Sequence, residues 1–223
     1  MNEANDRLRL RFSKTGRAVY ISHLDLMRTM QRAFQRAEIG LKYSEGFNPH
    51  AQMSIALPLS VGAGSLCEVM DFRLREYISP SEMVFRLNRS LPEGIKALEI
   101  YEWESKAKNI KWLDIDGIFE YDERNYEDMA TGLMDFFARE SIVIQRKTKS
   151  GMGESDIAPA IRSIMFGACA NGVEVKAVVS AQEPTLNPEH LVTALKQLAP
   201  ELAPDFAEFT RTQLYDADMR VFR

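Results

Sequence analysis

Residues Arg7–Lys14 alternate Leu8, Leu10 and Phe12 with Arg7, Arg9 and Arg11, and a period of two gives an extended strand one apolar face. The next segment changes period. Ser22 and Asp25 have the spacing of a capping box, and Leu26, Met27, Met30, Ala33, Phe34 and Ala37 follow at intervals of three and four, which predicts a helix. That helix is expected to end near Glu38, with Gly40 as its stop. A short strand at 41–44, an irregular passage at 46–65 rich in Gly, Pro, Asn and Ser, and a strand at 66–75 come next. A second helix opened by Ser79-Pro80 and running through Leu91, a turn at Pro92-Glu93-Gly94, and a strand at 97–104 complete the order βαββαβ.

The second half repeats the order without repeating the letters. Strand starts at Leu113, Ile142, Gly172 and Phe206 and helix starts at Asn125 and Asn187-Pro188 lie 101 to 109 positions beyond their first-half counterparts. The expectation is an α+β chain of two tandem ferredoxin-like (βαββαβ) domains. Each would be an antiparallel sheet covered by two helices, with the domains at 1–106 and 107–223 and the boundary at 106–109. A length of 223 residues with 45% hydrophobic and 27% charged residues suits two small cores. The first eleven residues are polar, and no stretch approaches the ~20 apolar residues of a membrane span, so the expected location is the cytoplasm.

Cysteine usage constrains the chemistry. Cys67 and Cys169 stand alone, without Cys or His at ligand spacing, so they read as small buried side chains, with no disulfide framework and no metal site. An iron–sulfur cubane needs ~3–4 thiolates, more than this chain offers, and no cofactor is assigned. Charge is uneven. Residues 1–106 carry 15 Lys/Arg against 13 Asp/Glu, and residues 107–223 carry 13 against 19. Such a modest basic bias permits contact with RNA without requiring it.

The least core-like segment is Tyr43-Ser44-Glu45-Gly46-Phe47-Asn48-Pro49-His50. Gly46 permits a positive φ, Asn48-Pro49 favours a turn, and Phe47 and His50 are able to stack on a base or shape a pocket. A purely structural loop, with Asn48 and His50 satisfying backbone groups, is the competing reading. His23 lies in the first turn of the first helix, where the dipole favours the neutral imidazole, so it is a candidate base as well as a first-turn hydrogen-bonding residue. Asp25 reads as a cap. Arg28, Arg32 and Arg36 form a basic stripe that lines phosphates or faces solvent. Glu68 and Asp71, three apart on a strand, fall on opposite faces, which argues against a carboxylate dyad. Ser150-Gly151-Met152-Gly153 lacks the spacing of a phosphate loop and reads as a mobile connection, and His190 reads as a surface residue.

Three blocks, YISHLDLMR at 20–28, YSEGFNPH at 43–50 and ALPLSVG…E…D at 56–71, resemble a radical-SAM-associated family of unknown function. Its members stand beside, or are fused behind, cobalamin-binding-type radical SAM proteins. Ala51 and Gln52 depart from the Pro and basic residue that commonly follow the family's His. The resemblance implies a setting near ribosomal and RNA-processing functions and a distant likeness to tandem ferredoxin-like CRISPR RNA endonucleases. It leads to an accessory subunit for a separate radical SAM protein, recognising RNA or a ribosomal component through Arg28, Tyr43, Glu45, Gly46, Phe47, Asn48, His50 and Glu68. Two alternatives stand beside it. One is a metal-independent ribonuclease using His23 or His50 as general base with Arg28 on the phosphate; the other is a protein-only scaffold.

Overall fold

The computed structural model describes residues 7–148 and 151–223. The chain divides into two compact units, one running to Ala107 and also taking in Arg223, the other Lys108–Phe222. In the first unit the elements are β1 (Arg7–Lys14), α1 (His23–Arg36), β2 (Met53–Ile55), β3 (Gly64–Arg73), α2 (Pro80–Ser90) and β4 (Ile95–Glu102). Its strands lie side by side in the order β4-β1-β3-β2, each neighbouring pair antiparallel.

The alternation along β1 explains its placement. Leu8 pairs with Phe72 and Leu10 with Met70 across β3, so one side of the sheet is continuously apolar. Leu10, Phe12 and Met70 are fully buried there, and each such side chain contributes roughly 1.5–3 kcal/mol of burial free energy. From α1 the stripe Leu26, Met30, Ala33 and Phe34 closes onto it, with the Phe34 and Phe72 rings edge to face at 5.0 Å. From α2, Met83 and Leu87 do the same. The caps follow the sequence: the Ser22 hydroxyl accepts from the Asp25 N–H and the Ser79 hydroxyl from the Glu82 N–H.

Two expectations for this unit are corrected. The first helix ends at Arg36 with Ala37 as its C-cap, and the left-handed residue that turns the chain is Glu38 (φ 57), not Gly40. No strand forms at 41–44. Leu41 and Tyr43 make only single bridges, to Leu74 and Ala51, while the strand edging β3 is Met53–Ile55, inside the passage read as irregular. Three residues give too few alternations for a period to show.

The second unit contains β5 (Trp112–Glu120), α3 (Tyr126–Phe137), β6 (Val143–Thr148), β7 (Gly151–Asp156), β8 (Ile161–Cys169), β9 (Gly172–Ser180), α4 (Glu189–Leu198) and β10 (Phe206–Tyr215). Four of its strands run β10-β5-β9-β8 with antiparallel neighbours. The strand expected from Ile142 is not among them. It is β6, which pairs with β7 in a separate two-stranded sheet, and the place beside β9 belongs to β8, a segment to which the sequence reading assigned no strand. The proposed mobile loop falls partly outside the described residues, at Ser150, and its remainder, Gly151 to Gly153, lies in β7. Around Phe119 an aromatic cluster forms, with Phe166 at 6.1 Å, Phe209 at 5.9 Å, and Phe137 stacked on Phe166 at 5.5 Å. No described helix is long and apolar enough to cross a membrane.

Candidate functional site

The loop at 43–50 is built from both of its ends. The Ser44 N–H donates to the His50 carbonyl at 2.9 Å, and the His50 N–H donates to the Ser44 hydroxyl oxygen at 3.1 Å. The same hydroxyl lies 2.9 Å from His50 Nδ1. This clasp fixes the imidazole through one ring nitrogen and closes the base of the loop. Glu45, Gly46, Phe47, Asn48 and Pro49 then project as an exposed tip, with Phe47 fully accessible. Gly46 makes the reversal at φ 116, a conformation that a Cβ would strain.

Tyr43 anchors the loop to its surroundings. Gln31 Nε2 on α1 donates to the Tyr43 hydroxyl at 3.3 Å, Gln52 Nε2 donates to its carbonyl at 3.2 Å, and the Arg75 guanidinium lies 5.9 Å from its ring centroid. The exposed side of α1 is thereby joined to the loop. Arg28 and Arg32 stand on that side. Arg28 pairs with Asp25 at 3.3 Å, an exposed contact worth well under 1 kcal/mol and easily exchanged for another anion. Arg36 is committed elsewhere, donating to the Ser90 carbonyl at 2.6 Å, so the stripe of three arginines reduces to two available cations.

Other expected residues do not join the site. Glu68 is completely buried and pairs in register with Phe12, which places it on the helix-covered side of the sheet. Asp71 lies on the opposite side, paired with Arg9 in register. Glu68 is therefore enclosed on the helix-covered side, away from solvent. His23 is half-buried, with Nδ1 buried and making no hydrogen bond. His190 is also half-buried rather than a surface residue, and desolvation followed by the nearby Arg146 charge holds its pKa below the usual histidine value. Cys67 is buried as expected, whereas Cys169 is partly exposed.

Sequence reasoning gave no bonding role to Ser44 or Gln31, whose partners lie six and twelve positions away. The placement of Ser44 and His50 on either side of a glycine turn was the available signal for the clasp. It also missed a group on the sheet side away from the helices, where Arg7, Arg73 and Trp103 border one cavity. In the sequence these arginines were simply the polar half of an alternation.

No curated protein matches the chain. A family model matches residues 7–188, spanning the first unit and most of the second. The chain therefore belongs to the family described as an uncharacterized protein conserved in bacteria, DUF2344.

Proposed function

We propose that this chain is a non-catalytic, RNA-facing accessory subunit that acts in the cytoplasm beside a separate radical SAM protein. The observation that carries the reading is the fully exposed Phe47 ring on a loop clasped at its base by Ser44 and His50. An exposed aromatic ring offers a stacking platform to an unpaired base. On α1, which is tied to the base of the loop through Gln31 and Tyr43, Arg28 and Arg32 supply cations at a spacing of four residues for the phosphates of the same strand. The radical SAM partner rests on the three sequence blocks already quoted and on a cysteine count too small for a cluster. The strand orders β4-β1-β3-β2 and β10-β5-β9-β8 support reading both units as ferredoxin-like folds, the second carrying the β6–β7 hairpin as an insertion.

The test is fluorescence anisotropy with short single-stranded RNAs, together with recovery of bound partners from cells. Phe47→Ala is expected to weaken RNA binding by roughly tenfold, because one base–aromatic stack is worth about 1–3 kcal/mol, while the melting temperature stays constant. Unchanged affinity in that variant removes the loop as the contact. RNA cut by the purified protein, with cutting abolished by His50→Ala, replaces the accessory reading with the ribonuclease. Recovery of protein partners without any RNA leaves a scaffold.

A further inference from the structure

The first unit carries a second feature, joined to the loop through Gln52, whose Nε2 donates to the Tyr43 carbonyl. A cavity of about 320 Å³ is bordered by Arg7, Gln52, Ser54, Asp71, Arg73 and Trp103, among others. Strand register explains the gathering. Arg7 pairs with Arg73, Arg9 with Asp71, and Asp71 in turn with Ser54. Gln52 takes its place beside Arg73, whose N–H donates to the Gln52 carbonyl at 3.1 Å. Trp103 follows Glu102, the partner of Leu8, and so comes opposite Arg7. Since Leu8, Phe72 and Met53 belong to the helix-covered core, these residues make two adjacent rows on the other side of the sheet.

The rows are pre-ordered. Arg9 is fully buried and grips Asp71 through two parallel bonds, Nε to Oδ1 at 2.6 Å and Nη2 to Oδ2 at 2.9 Å. Such a fork fixes the plane of the carboxylate. The Arg7 and Arg9 guanidinium groups each lie 5.9 Å from the centroid of the Trp103 ring, which holds the indole in place. Arg73 Nη1 reaches Gln52 Oε1 at 3.5 Å. Two guanidinium groups, Arg7 and Arg73, thus border the cavity beside the carboxylate held by Arg9, with an indole alongside. The balance calls for a ligand that is anionic at one end and planar at another.

We propose that this cavity binds a ribonucleoside monophosphate. A phosphate monoester carries about −1.5 to −2 charge at neutral pH, and arginine forks match its oxygens. Arg7, exposed and with its guanidinium group against the indole, and Arg73 receive the phosphate. The base lies against Trp103. The fixed Asp71 carboxylate accepts from the ribose hydroxyls, as acidic residues do in nucleotide sites, and Ser54 and Gln52 bond the polar edges that remain. The volume lies at the lower end for small-molecule sites, which suits one nucleotide. That nucleotide is either free in solution or the phosphorylated end of an RNA.

Calorimetric titration of the full chain with adenosine 5′-monophosphate tests the site. The expected result is saturable one-to-one binding, weakened roughly tenfold or more in Arg7→Glu, since a charge-assisted bond is worth about 1.5–3 kcal/mol and each 1.4 kcal/mol is tenfold. Adenosine lacking phosphate is expected to bind at least as poorly as the nucleotide does to that variant. The deoxyribonucleotide should bind several-fold more weakly, because it lacks one hydroxyl for Asp71. A single-stranded RNA with a terminal phosphate, compared with the same strand lacking it, separates the two sources. Arg7-dependent preference for the phosphorylated strand over free nucleotide assigns the RNA end, and the reverse assigns the free nucleotide. Absence of saturation up to millimolar nucleotide with no Arg7-dependent preference for the phosphorylated strand, or binding that ignores both Arg7 and the ribose hydroxyl, overturns the proposal. Phe47→Ala leaves nucleotide binding unchanged, so this site and the loop stand or fall separately.

Discussion

Glu38 occupies the left-handed region at φ 57 immediately beyond α1, where the Ile39 N–H donates to the Phe34 carbonyl at 3.0 Å and closes the helix end. A side chain there costs about 1 kcal/mol relative to glycine, because Cβ crowds the following carbonyl. Glu38→Gly is therefore expected to raise stability by up to about 1 kcal/mol, seen as a melting temperature higher by roughly 2–4 °C; a lower one shows that the Glu38 side chain holds something the turn needs. His190 gives a prediction of opposite sign in acid. Its folded-state pKa lies below 6.5 because burial, then Arg146, disfavour the imidazolium. As pH falls through 6.5 the unfolded chain takes up a proton that the folded chain refuses, so this contribution to stability is lost toward the folded-state pKa. Denaturant midpoints measured from pH 7.5 to 5.5 should fall less steeply in His190→Gln than in the wild type, and parallel curves eliminate His190 as a source of acid sensitivity.

At the scale of elements, the second unit turns on how closely its strands approach. Gly117 on β5 faces Phe209 on β10 in register, and a Cβ built at Gly117 would come within 2.7 Å of the Phe209 ring and 2.8 Å of the Glu208 carbonyl oxygen. A carbonyl in a paired strand cannot retreat without loosening the ladder. Gly117→Ala is expected to cost roughly 1–3 kcal/mol. Gly167→Ala on β8, where a Cβ would meet nothing within 4 Å, is its control and should be nearly neutral. Equal melting temperatures in the two variants would show that β5 and β10 have room to separate. The same strands show where sequence reasoning reaches its limit. Helices α1 to α4 were legible because each repeats apolar residues on one side and three of them begin at a serine or asparagine cap. The long strands β1, β3, β5 and β9 were legible from their alternation. β6 also alternates, with Ile144 buried and Val143 exposed, but alternation identifies a face and not a neighbour. Pairing β6 with β7, and giving β8 the place beside β9, depends on contacts distant in sequence. At the candidate site the exposure of Phe47 was legible from its surroundings of Gly, Asn and Pro. The burial of Glu68 was not, because whether a strand's polar residue faces core or solvent depends on what lies across from it.

Over the whole molecule, the charge distribution limits how much of the surface an RNA strand can use. The first 106 residues carry 15 basic and 13 acidic side chains and the remaining 117 carry 13 and 19, so net charge favours the first unit over the second for a polyanion. Within the first unit Arg36 is engaged by the Ser90 carbonyl, so the α1 stripe offers Arg28 and Arg32 to a strand. Two or three phosphate contacts on single-stranded RNA release about 0.7 counterion each, giving a slope of log affinity against log salt of roughly −1.4 to −2.1. Anisotropy titrations from 50 to 200 mM salt should therefore lose only about tenfold in affinity. Arg28→Ala combined with Arg32→Ala should lower both the affinity and the magnitude of the slope, by about 1.4, while Phe47→Ala lowers affinity and leaves the slope unchanged, because stacking releases no counterions. That contrast separates the two halves of the site with one measurement. A slope several times steeper would demand a basic tract that this surface does not offer, and a slope of zero with binding intact would mean that the loop grips something other than a nucleic acid.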